Sequence, residues 1–217
     1  MVFLFALLRH LLITVLAVVP VNVLFPLRLN GPSRLDALAE SGKFGREVLK
    51  VYSVIKLNRA DLGEKHAWKI AKTIARESRN NSLDPMLIVA VIDVESRFRL
   101  DAVSEDGARG LMQVRPEAAL ELAQNGGSVI TPAQTLNPDS LHDPTTNIKI
   151  GVSYLNYLQK KFRDLNLALT AYNWGPTKTQ KSLDEQAEVP QDYAMKVLST
   201  YHAYHGKKFP LPPWKAA

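Results

Sequence analysis

Asp84-Pro85-Met86-Leu87-Ile88-Val89-Ala90-Val91-Ile92-Asp93-Val94-Glu95-Ser96-Arg97-Phe98 is the run on which the reading of this chain turns. Proline has no N–H to lose at the first position of a helix, and Ser82 or Asp84 suits the cap before it, so the spacing predicts a helix starting near Asp84. From Met86 to Ile92 the run is apolar all round, which describes a helix buried inside a domain. On helical spacing Glu95 shares a face with Ile92, Val91 and Ile88, so its carboxyl group leaves the last turn beside apolar neighbours. Burial disfavours the carboxylate, and so does the partial negative charge of the helix C-terminus. Both raise the pKa of Glu95. A raised pKa is what a general acid needs near neutral pH.

Beyond the helix the chain enters a glycine-rich turn. Phe98 offers an aromatic wall and Ser96 a hydroxyl adjacent to the acid, while Gly107, Ala108 and Gly110 allow close backbone approach before Leu111-Met112-Gln113-Val114 and Pro116. Taken singly, these residues have ordinary structural readings. Met112 is suited to filling core space, Gln113 and Asn173 to satisfying backbone groups at helix ends, and Tyr172 to burial with a wet hydroxyl. In spacing and identity, however, the segment from Glu95 to Pro116 resembles the catalytic core of the soluble-type lytic transglycosylases. The resemblance continues through Asp143-Pro144, Asn147-Ile148, Gly151, Tyr154-Leu155, Phe162, Ala171-Tyr172-Asn173, Gly175-Pro176 and Tyr193, and covers about residues 64–205. It implies Glu95 as the acid/base, with Ser96, Met112, Gln113, Tyr172, Asn173 and Tyr193 lining a glycan cleft. Two positions depart from the family pattern: Trp174 stands where a small residue usually follows Tyr-Asn, and Thr177 where glycine is frequent. They bear on cleft width and subsite preference.

A glycosidase normally uses two carboxylates, one as acid and one as nucleophile or base. Asp93, Asp101, Glu105 and Asp106 are the nearby candidates for a second, but Asp93 leaves the helix on the side opposite Glu95 and the others sit in a turn. No fixed partner is obvious. The resemblance implies that one glutamate suffices, protonating the glycosidic oxygen and then taking the proton of the C6 hydroxyl of the same muramic acid residue to leave a 1,6-anhydro end. The implied partner is the glycan strand of peptidoglycan. Two other readings stay open: a hydrolase of the goose-lysozyme kind, and a catalytically silent glycan-binding component of an envelope-spanning assembly. The intact Glu95-Ser96 pair argues against the silent one.

Composition agrees with one catalytic domain. At 217 residues and 46% hydrophobic content the chain buries one good core, with residues left over at its ends. A net charge of +6 suits an anionic envelope, although a solvated basic surface is the commoner meaning of such a surplus. No nucleic-acid-binding pattern stands out, so no nucleic-acid partner is expected. With no cysteine the fold uses no disulfide and carries no lipid-modified cysteine. His10, His66, His142, His202 and His205 are scattered and read as surface residues, so neither a metal nor a cofactor is expected.

Within residues 1–27 the only charged or titratable interruptions are Arg9 and His10, and the segment reads as a signal peptide or membrane anchor. Residues 28–63 form a juxtamembrane stretch in which Val48, Leu49, Tyr52 and Ile55 mark a short amphipathic helix, to be packed on the domain or laid near the membrane. Ala67, Trp68, Ala71, Ile74 and Ala75 predict a helix over 64–79, and further helices are expected over 146–161, 166–172 and 191–205. Residues 125–144 read as a long surface loop bordering the cleft, and 206–217, with Pro210, Pro212 and Pro213, as an extended tail. No useful strand alternation appears. The expected fold is mainly α, a lysozyme-like single catalytic domain of the goose-lysozyme type at 64–205, preceded by the hydrophobic segment.

Overall fold

The computed structural model describes residues 42–124 and 138–206. The expected anchor or signal at 1–27, the loop at 125–137 and nearly all of the tail therefore lie outside the described residues. Among the described residues eight α-helices carry the fold: α1 (Lys43–Asn58), α2 (Glu64–Asn80), α3 (Pro85–Ser96), α4 (Pro116–Gln124), α5 (Pro144–Phe162), α6 (Leu165–Trp174), α7 (Pro176–Asp184) and α8 (Asp192–His205). A short 3-10 turn, Pro138–His142, precedes α5. Among the described residues no strand forms; two isolated bridges, Val103 with Arg109 and Arg109 with Val114, tie together the turn after α3.

Helix α3 is the axis. Asp84 caps it by accepting from the Met86 amide at 2.7 Å, and Pro85 opens it, as its sequence requires. Every residue from Met86 to Ile92 is buried. Around it pack α8, α2 and α1, while α5 lies against α2 and α6. Helices α1, α2, α3 and α5 each bury six or seven apolar side chains and α6 and α8 three each, and this burial is the main source of stability, at about 1.5–3 kcal/mol for each fully buried Leu, Ile, Val or Met. Helix α1 was expected as a short amphipathic element within 28–63. It runs longer and buries Val48, Leu49, Val51, Tyr52, Val54 and Ile55 in the same core as the helices of 64–205. Tyr52 meets Trp68 of α2 edge-on at 5.5 Å. Of the two expected positions for this helix, the structure takes packing on the domain.

Two helices were not legible in sequence. Helix α4 buries only Ala119 and Leu122, and α7 only Pro176 and Thr179, so neither carries an apolar stripe long enough to register as a helical period. Their proline starts were the available signal. Part of the expected loop 125–144 is also ordered, as the 3-10 turn and the first residue of α5. Among the described residues no helix is long and apolar enough to cross a membrane.

Candidate active site

Glu95 sits in the last turn of α3, half-buried, on the wall of a cavity of about 320 Å³. Burial pushes its carboxyl pKa up to about 7, against the lowering influence of the Tyr193 hydroxyl and of the Lys196 and Arg115 cations. Desolvation by burial outweighs these three together. The Tyr193 hydroxyl donates to Glu95 Oε1 at 2.5 Å. Burial and the facing carboxylate hold the Tyr193 phenol well above its ordinary pKa, so it remains a donor at any physiological pH. Helix α8 thus brings in a side chain that holds the carboxyl group of the acid. Asp93, two residues earlier, points elsewhere and accepts from Tyr204 at 2.8 Å.

The other wall is backbone, and it is held from three helices. After Arg97 and Phe98, both left-handed at φ 50° and 59°, the chain turns back so that residues 109–113 lie beside the acid's helix. Ser96 Oγ donates to the Leu111 carbonyl at 2.8 Å. From α6 the Tyr172 hydroxyl donates to the Met112 carbonyl at 2.9 Å. From α5 the buried Asn147 makes three bonds: it accepts from the Met112 amide at 2.8 Å and donates to the carbonyls of Arg109 at 2.7 Å and Leu141 at 2.9 Å. Gly110, at φ 71°, leaves room for this, since a Cβ there would come within 2.6 Å of both Asn147 Nδ2 and the Leu141 oxygen. Gly151 of α5 likewise admits Met112, whose sulfur would sit 2.6 Å from an added Cβ.

The expected site residues therefore divide. Glu95, Gln113, Tyr172 and Asn173 line the cavity together. Gln113, at φ 47°, spends its amide on the Ala102 and Gly110 carbonyls. Tyr193 touches the acid itself. Ser96 and Met112 are fully buried behind the wall, and their contacts are with backbone and with α5. Phe98, expected as an aromatic wall, is a core residue, turned inward by its left-handed backbone. His142 is half-buried against the Arg109 guanidinium at 2.9 Å, where a surface residue was expected.

Of the four second carboxylates considered from sequence, only Asp106 reaches the cavity, where Arg115 pairs with it at 3.7 Å. Glu117 and Glu121, on the unforeseen α4, line it as well. Glu121 accepts from the Tyr154 and Tyr157 hydroxyls at 3.0 and 3.3 Å. Tyr154 in turn lies 5.8 Å from the Tyr172 ring. Asn147 was visible only as part of a motif; because all its partners are backbone atoms, no complementary residue type announced its role. Among the described residues no group of His, Asp and Glu comes together that could hold a metal ion.

Comparison with known proteins gives the family of the chain. Residues 72–195 match the family profile "Transglycosylase SLT domain". The chain is 31% identical over 160 residues to membrane-bound lytic murein transglycosylase E of Buchnera aphidicola subsp. Baizongia pistaciae, a match covering 69% of this chain and 73% of that one. It is 33% identical over 121 residues to membrane-bound lytic murein transglycosylase C of Shigella sonnei, covering 52% of this chain but 33% of that relative. A second Buchnera aphidicola transglycosylase E, from subsp. Acyrthosiphon pisum, is 39% identical over 90 residues, and the chain spans 39% of its length. In fold the chain is similar to the 70 kDa soluble lytic transglycosylase of Escherichia coli, with a TM-score of 0.53 at 22% identity over 79% of this chain and 32% of that one.

Proposed function

The chain belongs to the transglycosylase SLT domain family and carries a lysozyme-like lytic transglycosylase catalytic domain; from this premise we propose that it cleaves the β-1,4 bond between N-acetylmuramic acid and N-acetylglucosamine in peptidoglycan, leaving 1,6-anhydro ends. The observation that carries the reading is Glu95, protonated near neutral pH and held at 2.5 Å by Tyr193 on the cavity wall. Its proton passes to the glycosidic oxygen as the bond to C1 breaks. The carboxylate then takes the proton of the C6 hydroxyl of the same muramoyl residue, and O6 closes on C1. A nucleophile already attached to the reacting sugar needs no activated water, because its effective concentration is high. Two of the three other cavity carboxylates are engaged, Asp106 by Arg115 and Glu121 by two tyrosines, which favours this route over hydrolysis through either of them. Gln113, Tyr172 and Asn173 bind the strand, while Ser96 and Met112 position the wall behind it.

The apolar residues 1–27 serve in this reading to bring the domain to the outer side of the membrane, as an anchor or a cleaved signal. One experiment tests product and place together. Muropeptide mass spectrometry after expression of the full chain should show more anhydro-muramoyl ends, each lighter by one water than its hydrolytic counterpart, and expression from residue 28 onward should not. Ends of ordinary reducing mass would make the enzyme a hydrolase.

Rate should follow the protonation of Glu95. Its acid form is complete well below a pH of about 7 and is lost above it, so kcat/KM falls about tenfold per pH unit on the alkaline side. The Tyr193 hydroxyl lowers the pKa of Glu95. Tyr193→Phe should therefore move the alkaline limb to higher pH while reducing the plateau by less than loss of the acid does. A limb that stays in place would separate Tyr193 from the titration of Glu95.

A further inference from the structure

Tyr193 is one of three tyrosines by which α8 grips the helix of the acid. Glu95 accepts from Tyr193, Asp93 from Tyr204 at 2.8 Å, and Asp84, the cap of α3, from Tyr201 at 3.0 Å. Tyr193 stands in the first turn of α8 and Tyr204 in the last, about three turns away on one helix. At Tyr204 a third helix joins. Its hydroxyl accepts from Asn58 Nδ2, at the end of α1, at 3.1 Å. The next residue, Arg59, donates from Nη1 to the Phe98 carbonyl at 2.7 Å, while Asp61 holds the same guanidinium at 2.8 and 2.7 Å. Lys56 secures this turn by donating to the carbonyls of Ala60 and Leu62 at 2.8 and 2.7 Å. Glu95 thus lies between two tied points, Asp93 and Phe98.

Asn58, Arg59 and Tyr204 all fall outside residues 72–195, the span that matches the family profile. None of them lines the cavity. They nevertheless bear on the chemistry, because a misplacement of about 1 Å originating far from the reacting atoms can cost about a hundredfold in rate. Resting on the glycan-cleaving reading above, we propose that the Tyr204 hydroxyl, supported by Asn58 and Arg59, is a positioning group for the reaction. It sets α8 against the end of α3 so that Tyr193 meets Glu95, and Glu95 meets the glycosidic oxygen. Because it touches no substrate, its effect falls on kcat and passes through Tyr193.

Tyr204→Phe removes the hydroxyl and leaves the buried ring in place. In the full chain, on protein shown to be folded by circular dichroism, kcat should fall about tenfold with KM within about twofold of wild type. Asp93→Ala should lose as much, and Asp93→Asn should recover most of that loss, because its amide oxygen still accepts from Tyr204. In a Tyr193→Phe background, where the acid is no longer held, Tyr204→Phe should cost less than about twofold more. A Tyr204→Phe enzyme with wild-type kcat, or one whose loss multiplies in full with that of Tyr193→Phe, would overturn the proposal and leave the hydroxyl a contact of the fold alone. An Asp93→Asn enzyme as slow as Asp93→Ala would overturn it too, making the charge of Asp93 the requirement. Wild type that cleaves no glycan would instead defeat the glycan-cleaving reading, and this inference with it.

Discussion

Glu95→Gln is expected to lower glycan cleavage about a thousandfold or more while the domain stays folded. The amide keeps the volume of the side chain and can still accept from the Tyr193 hydroxyl, but it neither donates nor recovers the transferring proton. A folding control is built into the same variant. Because burial raises the folded-state pKa of Glu95 from 4.5 to about 7, the folded protein holds a proton between those values that the unfolded chain releases. Stability therefore falls as pH rises through that window, and above it the wild type carries a buried charge costing on the order of 3 kcal/mol. Glutamine removes that cost. Urea unfolding should find Glu95→Gln more stable than wild type at pH 8 and indistinguishable from it at pH 4. Turnover within tenfold of wild type would sink the proton-transfer role of Glu95, and equal stability at both pH values would show that its carboxyl is not held neutral by burial.

What was legible in the sequence followed from periodicity and end signals. An apolar run opened by Asp84-Pro85 reads as a buried helix, and its phase sets Glu95 on the face of Ile88, Val91 and Ile92, all three buried in the structure. The limits were equally physical. Helices α4 and α7 bury two residues each, too few to print a period, so the wall bearing Glu117 and Glu121 went unseen. Ser96 and Met112 sit next to the chemistry in sequence, yet the helix end and the turn rotate them inward. Adjacency along the chain fixes neighbourhood; direction comes from backbone dihedrals such as the positive φ values of Arg97, Phe98 and Gln113.

The turn itself can be tested through Asn147. This side chain is fully buried and accounts for the Met112 amide and the Arg109 and Leu141 carbonyls at once. Asn147→Leu keeps similar volume but leaves the Met112 amide and the Leu141 carbonyl unpaired where water has little access, while the Arg109 carbonyl keeps the Val114 amide at 3.0 Å. Each unpaired group costs about 1–3 kcal/mol, so the expected destabilisation is on the order of 4 kcal/mol, among the larger values a single substitution produces. Chemical denaturation measures it directly; a loss below about 1 kcal/mol would mean that the turn finds other partners and does not depend on α5. Activity distinguishes a clamp from mere ballast. Gln113 and the Leu111–Met112 carbonyls hang on the same turn, so kcat should fall further than the folded fraction does, whereas loss that tracks only the folded fraction would confine Asn147 to stability. The direction of that difference follows from the geometry: Glu95 is fixed by α3 and α8, the opposite wall by Asn147, and the glycan must fit between them.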